Sequence, residues 1–473
     1  MSHLLRAPSV LVALFVAAFV ATVAPAARAQ ASPGDLVGGI HERHLDNGLT
    51  IIVQEDHRLP LVSLSLRYDF GATAAPSGRE GVTALTTFLM VDRSQHVPPG
   101  EAARLFARAG ASSKGDSTGP LSAMQWATVP AHQLALPLWI WSDQMGFFDT
   151  AIDDAAVTSQ RTRLLAMCHT ALEGQRLGRL DLLANEELFP DDHPYRFSAL
   201  TPESVERVDR ASVIAFHDAW ITPDHATLAI VGDVTDADAV ALVKRYFGSI
   251  PRGPRVARPR FEAPPRLTGE TIVDVAANVL QASVSVRWPT PRLLTTEDAR
   301  LDIVARLFSS RRVAWLVWRV VDTMKVATTV TAHQRSNIAG SQFEVTVEGA
   351  HGKTPDELLT ALDAAMDEIR ALEPKAAVVD GAAYETIIDR LLATERSATR
   401  ASEYVRYSAF VGTPSYLQHD FERYQDVTPR ALHEAIVQWL PRDRRVVLRV
   451  TPTPTASLGG DRTGKRFIQA RTP

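Results

Sequence analysis

Hydrophobic and polar positions in the first half of the chain follow two periods, one typical of strands and one typical of helices. Asn47 and Gly48 form a tight-turn pair that an apolar run follows, and residues 61–72 alternate between hydrophobic and polar positions. Residues 81–109 and 131–189 change to the three-to-four-residue spacing of helices. The first half therefore mixes strands with helices, as an α+β domain does.

The second half repeats much of this order after a stretch rich in proline and arginine. Residues 251–266 have a composition that cannot build a packed element, and they predict an extended linker. The elements predicted beyond it are strands at 271–276 and 281–288, helices over 296–323, strands at 326–333 and 341–348, helices over 354–397 and 400–438, and a strand at 445–451. We interpret the chain as a duplicated α+β unit with halves at 30–250 and 267–473.

The first 29 residues have the pattern of a secretory signal peptide. Arg6 precedes an apolar run over residues 10–23, and Ala27 and Ala29 supply the small side chains of a cleavage site. We expect cleavage after Ala29 and export of the mature chain, with a retained N-terminal anchor as the alternative. No later run approaches the roughly 20 apolar residues of a spanning helix, so we expect no stable membrane insertion.

Composition narrows the classes of protein that the chain can represent. Its 473 residues include 50 lysines and arginines against 54 aspartates and glutamates, and the net charge of -4 disfavours nucleic-acid binding. Cys168 is the single cysteine, so neither an internal disulfide nor a cysteine-rich metal site can form. An exported protein without disulfides suits a bacterial periplasm better than a eukaryotic secretory lumen.

Six segments, in order along the chain, carry a resemblance to a known family. They are LDNGLTIIVQEDHRLPLVSLSLRYDFGA (45–72), GREGVTALTTFLM (78–90), HPYRFSALTPESVERV (193–208), FHDAWITPDHATLAIVGDV (216–234), VKRYFGSIPRG (243–253) and LFSSRRVAWLVWRVV (307–321). They resemble the pitrilysin/insulinase family of zinc metallopeptidases, the inverzincins, which includes the mitochondrial processing peptidases. The resemblance implies two homologous α+β halves, each with antiparallel sheets flanked by helices, enclosing a cavity.

The zinc site of that family is altered in this chain. Its enzymes bind zinc through H-x-x-E-H on the helix after the second strand, and a glutamate on a later helix completes the ligands. The resemblance places Ala84 and Phe88 at the histidine positions and Thr87 at the glutamate position. The later ligand position falls on Met167 or an adjacent residue, and a supporting acidic position falls on Gln160. We therefore predict no catalytic, metal-binding or cofactor-binding residue in this chain.

Other residues are weaker candidates for chemistry. They are His41 with His44, Cys168 with His169, His217 with His225, and His193 of the HPY segment. The first pair is expected to be solvated, and the second points about 100° apart on a helix and cannot chelate one ion well. The third pair, beside Trp220, is expected to pack or cap, and His193 is expected to be structural. A Ser-His-Asp triad stays open, although no G-x-S-x-G motif occurs.

Features that handle substrate in the family are also altered. Active members hold the substrate backbone with an arginine and a tyrosine in the region matching residues 338–360. Gln342 stands near the expected arginine, and neither residue type occurs between positions 338 and 359. Trp315 and Trp318 are expected to pack in the core or between the halves.

The resemblance and the altered motif together predict a non-catalytic subunit of a periplasmic zinc metallopeptidase. Such a subunit would form a peptide chamber with a homologous zinc-bearing subunit, and zinc is expected only in that partner. The expected substrates are peptides or unfolded proteins. One alternative is a stand-alone peptide-binding or scaffold protein of the cell envelope. Another is an active metallopeptidase with unrecognised ligands, so enzymatic activity of the isolated chain is left open.

Overall fold

A computed structural model describes residues 39–76, 78–191, 193–196, 200–256, 266–310 and 314–470. The predicted signal peptide lies outside the described residues, and so do residues 257–265 of the predicted linker. Within the described ranges, no helix combines the length and the apolar character that crossing a bilayer requires.

The first half is built on a six-stranded sheet. Its strands are β1 (Ile40–His44), β2 (Thr50–Glu55), β3 (Leu61–Tyr68), β4 (Ser113–Thr118), β5 (Ala123–Pro130) and β6 (Ala226–Gly232). Their order in the sheet is β1-β2-β6-β3-β5-β4. The β2 and β6 strands run parallel, and the other neighbouring pairs are antiparallel. Strand β3 is buried along nearly its whole length, which matches its apolar character.

The second half repeats this sheet. Its strands are β7 (Gly269–Ala277), β8 (Ser283–Thr290), β9 (Ala327–Arg335), β10 (Ser341–Gly349), β11 (Val446–Pro452) and β12 (Asp461–Gln469). The order β12-β7-β11-β8-β10-β9 again contains one parallel pair, β7 with β11. Five strands of the two sheets therefore correspond in order and direction, whereas the sixth, at the edge, is the first strand of the first half (β1) and the last strand of the second half (β12). The predicted α+β fold class is confirmed, with one parallel pair added to each antiparallel sheet.

Helices pack on both sheets. They are α1 (Gly81–Asp92), α2 (Glu101–Arg108), α3 (Ala135–Gly146), α4 (Asp154–His169), α5 (Leu180–Leu188), α6 (Pro202–Glu206), α7 (Arg210–Trp220), α8 (Asp236–Phe247), α9 (Thr296–Ser309), α10 (Pro355–Arg370), α11 (Ala376–Thr394), α12 (Ser397–Val411), α13 (Leu417–Gln425) and α14 (Pro429–Trp439). Polar caps fix several helix starts. The Asp153 carboxylate accepts from the Ala156 amide at 2.7 Å, and Thr354 and Glu357 form a reciprocal capping box.

The two faces of each sheet are covered by helices from different halves. One face of the first sheet packs against α1, α3, α4, α7 and α8, and one face of the second packs against α9, α10, α11, α13 and α14. The opposite face of the first sheet, which includes Ile52, packs against α12 from the second half. The opposite face of the second sheet, which includes Val273, packs against α5 from the first half. Because strand side chains alternate between faces, each sheet can hold both partners at once.

Two predicted helical stretches are shorter than the sequence indicated. The helical periodicity over 131–189 is divided into α3, α4 and α5, because a 3₁₀ turn at Asp149–Ala151 and the Asp153 cap separate α3 from α4, and a π-helical segment, Thr170–Gly174, follows α4 before α5 begins. Of the helices predicted over 296–323, α9 ends at Ser309, and a π-helical segment, Val317–Thr323, follows. Apolar spacing continues across both breaks because the flanking segments all contribute to buried clusters.

Candidate functional site

Helix α1 carries the three positions at which the sequence resemblance predicted the family's zinc motif. The helix begins at Gly81, where an added Cβ would lie 2.6 Å from the Ser204 carbonyl oxygen, so its start packs directly against α6. Ala84 and Phe88 are partly buried against the first core, and Thr87 is 2% exposed. Their spacing of three and four residues places them on one helix face, and that face is packed.

The Thr87 hydroxyl is already engaged by neighbouring groups. It donates to the Thr83 carbonyl oxygen at 2.9 Å and accepts from the Thr118 hydroxyl at 3.1 Å. Thr118 is the last residue of β4, so this contact ties α1 to the edge of the first sheet. Thr87, predicted to occupy the position of the family's glutamate, therefore acts as a structural link between α1 and β4.

The Arg163 side chain reaches Phe88, the residue predicted at the position of the family's second histidine. The Arg163 guanidinium carbon lies 5.8 Å from the centroid of the Phe88 ring, which is a cation–π distance. Met167, where the later ligand position was predicted, is 48% exposed, and Gln160 is buried. Arg163 stands one helical turn before Met167 and was not predicted. The four-residue spacing on α4 is the sequence signal that could have identified it.

These residues do not fit a zinc ion. Zinc in such sites is bound by imidazole, carboxylate or thiolate groups. Ala84 offers a methyl group, Phe88 offers a ring, and the Thr87 hydroxyl is held by two threonines. The nearby Arg163 also adds positive charge where a metal ion would be expected. No zinc-dependent step can be derived for this helix face.

A cavity of about 270 Å³ lies beside this face. Its lining combines aromatic rings with charged groups: Phe88, Phe106, Trp126 and Trp141 with Lys114, Asp116 and Arg163. Burial raises the pKa of Asp116, and the Lys114 ammonium partly offsets that effect. Lys114 and Asp116 belong to β4, which pairs with β5 and forms one end of the sheet. The cavity therefore opens next to a strand edge.

The tryptophan on the neighbouring strand covers that edge strand closely. An added Cβ at Gly115 would lie 2.4 Å from the Trp126 ring, so the ring packs directly on the backbone of β4. Trp126 is half-buried and lines the cavity. Gly115 is therefore required by close approach rather than by an unusual backbone angle.

The remaining predicted residues lie apart from this cavity. His44 is exposed on β1, Cys168 is buried while His169 is exposed, and His225 packs beside Trp220 at 5.5 Å. The expected packing of His225 is confirmed, and burial raises the pKa of the Cys168 thiol.

The HPY segment joins the two halves. The Nε2–H group of His193 donates to the Ala339 carbonyl oxygen at 3.0 Å, and the Ala339 amide donates to the Tyr195 hydroxyl at 3.1 Å. The expected structural role of His193 is therefore confirmed.

Trp315 packs against the second core as expected, but Trp318 is 60% exposed, so its predicted burial is wrong. Trp318 lies on the π-helical segment, whose wider spacing turns it outward.

Comparison with known proteins finds a family description that matches part of the chain. A family description, Peptidase M16 inactive domain, matches residues 207–383. A curated relative, the zinc protease PqqE of Helicobacter pylori, is 20% identical over 293 residues, which are 61% of this chain and 65% of the relative. This chain thus matches slightly less than two thirds of that relative's length.

Solved structures share the fold over most of the chain. A protease from Helicobacter pylori superposes with a TM-score of 0.81 at 17% identity, covering 87% of this chain and 99% of that one. A peptidase M16 inactive domain from Pseudomonas fluorescens gives 0.77 at 19% identity over 89% and 99%. The periplasmic protease PqqL from Escherichia coli gives 0.70 at 16% identity, covering 88% of this chain and 48% of PqqL.

The family match, the curated relative and the shared fold agree with the resemblance found in the sequence. The chain is thus similar to pitrilysin/insulinase proteins in fold and over residues 207–383, and its sequence contains no H-x-x-E-H motif.

Proposed function

We propose that this chain is a non-catalytic subunit of a periplasmic zinc metallopeptidase, and that it forms a peptide-binding chamber with a zinc-bearing homologue. The observation that carries the proposal is the packed face of α1. The scaffold of the family is retained, whereas the motif positions hold a methyl group, a bonded hydroxyl and a ring under Arg163. A chain that keeps the fold without the donors can still bind peptide and shape a partner's chamber.

The β4 edge and its cavity support the peptide-binding part of the proposal. An edge strand presents unpaired N–H and C=O groups, to which an extended peptide can add as a further strand. The adjacent cavity offers rings for apolar side chains, and Lys114 and Asp116 offer both signs of charge. Backbone pairing along the strand is independent of sequence, which suits a chamber that receives varied peptides or unfolded proteins.

Two lines of reasoning support the partner and the compartment. The relatives include a zinc protease and a periplasmic protease, and this chain covers 48% of the length of the latter. A second copy of the fold, supplied by a zinc-bearing homologue, would complete an assembly of that size. The predicted signal peptide, with cleavage near Ala29, would deliver the chain to the same compartment.

The partnership is tested by co-purification and activity. The full chain is tagged and expressed with the zinc-bearing homologue encoded beside it, and peptidase activity is measured for each chain alone and for the mixture. We expect co-purification, no turnover by this chain alone, and activity of the partner that depends on this chain. A homologue that is fully active by itself and does not bind this chain would refute the proposal.

The peptide site is tested separately with substitutions. Trp126→Ala removes a ring that lines the cavity, and Gly115→Ala displaces that ring by steric contact. Both should weaken binding of a fluorescent extended peptide by about tenfold, as loss of a buried aromatic anchor does. Trp318→Ala, which removes an exposed tryptophan in the second half, is the matched control and should leave affinity unchanged. Equal affinity in all three variants would place the peptide elsewhere.

A further inference from the structure

A second cluster of potential ligand groups lies on elements that carry no motif of the family. Asp149 is in the 3₁₀ turn after α3, and His217 and Asp218 are near the end of α7. One ligand atom from each lies within 4.8 Å of the other two. The His217 side chain is 5% exposed, whereas the Asp218 side chain is 59% exposed and Asp149 is exposed. A buried imidazole thus points toward two accessible carboxylates.

The surroundings of His217 fix which ring nitrogen carries the proton. Its Nε2 lies 3.1 Å from the Gln144 carbonyl oxygen, which can only accept, so Nε2 must carry the hydrogen. The ring is also held by stacking on Phe148, at 4.2 Å between centroids and 12° between planes. In the neutral imidazole, Nδ1 then presents a lone pair. A backbone carbonyl that fixes the tautomer in this way is the usual partner of a metal-binding histidine.

The Nδ1 atom faces an acceptor rather than a donor. Among the described residues its hydrogen-bonding neighbour is Asp218 Oδ1 at 3.5 Å, which as a carboxylate oxygen has no proton to give. A lone pair and a carboxylate that face each other repel unless a bridging group lies between them, which can be a proton on Nδ1, a water molecule that donates to both, or a metal ion. These occupants differ in one respect that can be tested: only a metal ion also needs Asp149 as a ligand.

Electrostatics at Asp149 favour a positive ion in this place. Burial raises the pKa of Asp149, and the Asp218 carboxylate acts in the same direction, while His217 and Arg210 act against it. The Nε of Arg210 donates to the Ile152 carbonyl oxygen at 2.6 Å, so part of that guanidinium is directed away from Asp149. The charges of Arg210 and His217 offset only part of the effect of burial and of Asp218 on Asp149, and a divalent ion would relieve the remaining repulsion between the two carboxylates.

We propose that Asp149, His217 Nδ1 and Asp218 form a binding site for a divalent transition-metal ion, with Zn²⁺ or Mn²⁺ as the ions that one imidazole and two carboxylates suit. Adjacent residues on a helix usually diverge, but here His217 Nδ1 and Asp218 Oδ1 lie 3.5 Å apart, so both can reach one ion. Ligands bound at about 2.1 Å in tetrahedral geometry lie about 3.4 Å apart, so the ligand atoms, which lie within 4.8 Å of one another, must approach by at most about 1.4 Å. The two exposed carboxylates can rotate that far, while the buried ring stays fixed. A cavity of about 320 Å³ adjoins the cluster and leaves space for water ligands. This site is independent of the proposed non-catalytic function.

The test is metal binding by the intact mature chain. The protein is stripped with a chelator and titrated with Zn²⁺ and with Co²⁺, whose visible absorption reports ligand number and type. We expect one ion per chain in the wild type. Asp149→Asn and Asp218→Asn replace exposed side chains and keep their shape, and each should weaken binding by at least about tenfold. Because neither carboxylate is in the core, circular dichroism should show that both variants fold.

Controls separate this site from adventitious surface binding. Asp380→Asn changes an exposed aspartate on α11 and should leave affinity unchanged. A His41→Ala/His44→Ala variant removes the other close pair of histidines and should also bind one ion. No binding by the wild type, or binding that survives both Asp149→Asn and Asp218→Asn, would overturn the proposal.

Peptidase assays on the metal-loaded chain distinguish this inference from the proposed function. A bound ion without turnover supports both. A bound ion with turnover that Asp218→Asn abolishes would uphold the metal site and refute the non-catalytic role.

Discussion

The two helices that cross between the halves occupy equivalent positions but are held by different forces. Helix α12 covers the first sheet through a small apolar cluster built around Tyr404 and Val405, with Ile52 and Val231 on the strands. Around this cluster, Tyr404 donates to Gln54 Oε1 at 2.9 Å, and Arg400 is paired with Asp56. The joint is therefore largely a set of buried polar pairs.

Helix α5 covers the second sheet mainly by apolar contact. Its buried cluster comprises Leu180, Leu183, Ala184, Leu188, Phe189, Tyr195, Val273, Val275, Ala277, Ala339, Val446, Leu448 and Val450. Ion pairs also cross this joint: Asp181 on α5 pairs at 2.6 Å with Arg287, which is 1% exposed, whereas Arg462 and Glu186 lie at the rim and are each about one-third exposed. The two joints thus differ in balance, because polar pairs dominate around α12 and buried apolar surface dominates around α5. Because only buried polar pairs demand particular partners, the two joints should respond differently to substitution.

The largest effect is expected from Arg400→Ala, in the polar joint. Arg400 is 1% exposed, pairs with Asp56, and donates to the carbonyl oxygens of Thr394 and Glu395 at 3.1 Å. Hydrogen bonds from Arg58 hold the pKa of Asp56 well below its usual range, and the positive charge of Arg400 lowers it further. Removing Arg400 leaves buried acceptors unpaired, so unfolding free energy should fall by about 3–5 kcal/mol.

Chemical denaturation of the wild type and of Arg400→Ala measures this loss. Arg430→Ala, whose arginine is 81% exposed in its pair with Glu434, is the control and should leave stability essentially unchanged. Equal stability of both variants would show that the polar joint contributes little.

A somewhat smaller loss is expected in the apolar joint. Leu188 is 1% exposed at the end of α5, and Leu188→Ala should cost about 3 kcal/mol because it leaves a cavity in the cluster. Leu392→Ala, at a site 63% exposed, is the matched control and should be near neutral. The loss of stability caused by Leu188→Ala should persist at high salt, because salt screens exposed ion pairs but not apolar contacts. A loss that disappears with salt would contradict an apolar joint.

The second half also contains a carboxyl group that should destabilise the fold at neutral pH. Burial raises the pKa of Asp302 to about 6, and the Asp298 charge adds to the effect, although Tyr424 donates to Asp302 at 2.6 Å. The folded state holds this proton more tightly than the unfolded state, in which the pKa is about 4. The contribution of Asp302 to stability should therefore fall between about pH 4 and pH 6 and stay low above that range.

Asp302→Asn removes that penalty while keeping an acceptor for Tyr424. The variant should be more stable than the wild type by about 1–3 kcal/mol at pH 7.5, and the gain should vanish below about pH 4. Thermal unfolding across pH measures it, with Asp380→Asn as an exposed control. A variant that is less stable at every pH would show that the ionised carboxylate is favourable here.

The smallest effect is expected from Tyr404→Phe. This change deletes only the hydroxyl that donates to Gln54 Oε1, and it should cost about 1 kcal/mol. Tyr416→Phe, in which the ring is only partly buried, serves as the control. In the double variant with Arg400→Ala, the total loss should differ from the sum of the two single losses, because Gln54 lies near the end of β2 and Asp56 directly follows that strand. Strict additivity would show that the two polar contacts act independently.

The sequence determined the central strands, the duplication and the loss of zinc donors. Central strands such as Ala226–Gly232 carry apolar runs because both of their faces are buried, so the sequence alone identifies them. The edge strands Ser113–Thr118 and Asp461–Gln469 were missed, since most of their side chains are exposed and no apolar period marks them. Replacement of imidazole by Ala84 and Phe88 likewise needs no structure to recognise.

Only the tertiary structure determined which side chains these residues contact. Arg163 lies over Phe88, and Asp149 lies beside His217, because folding brings together side chains that are tens of residues apart. The crossing of α5 and α12 between halves has the same origin. Helical periodicity reveals that a helix has an apolar face, but the sheet that buries the face is chosen by the packing of the whole chain.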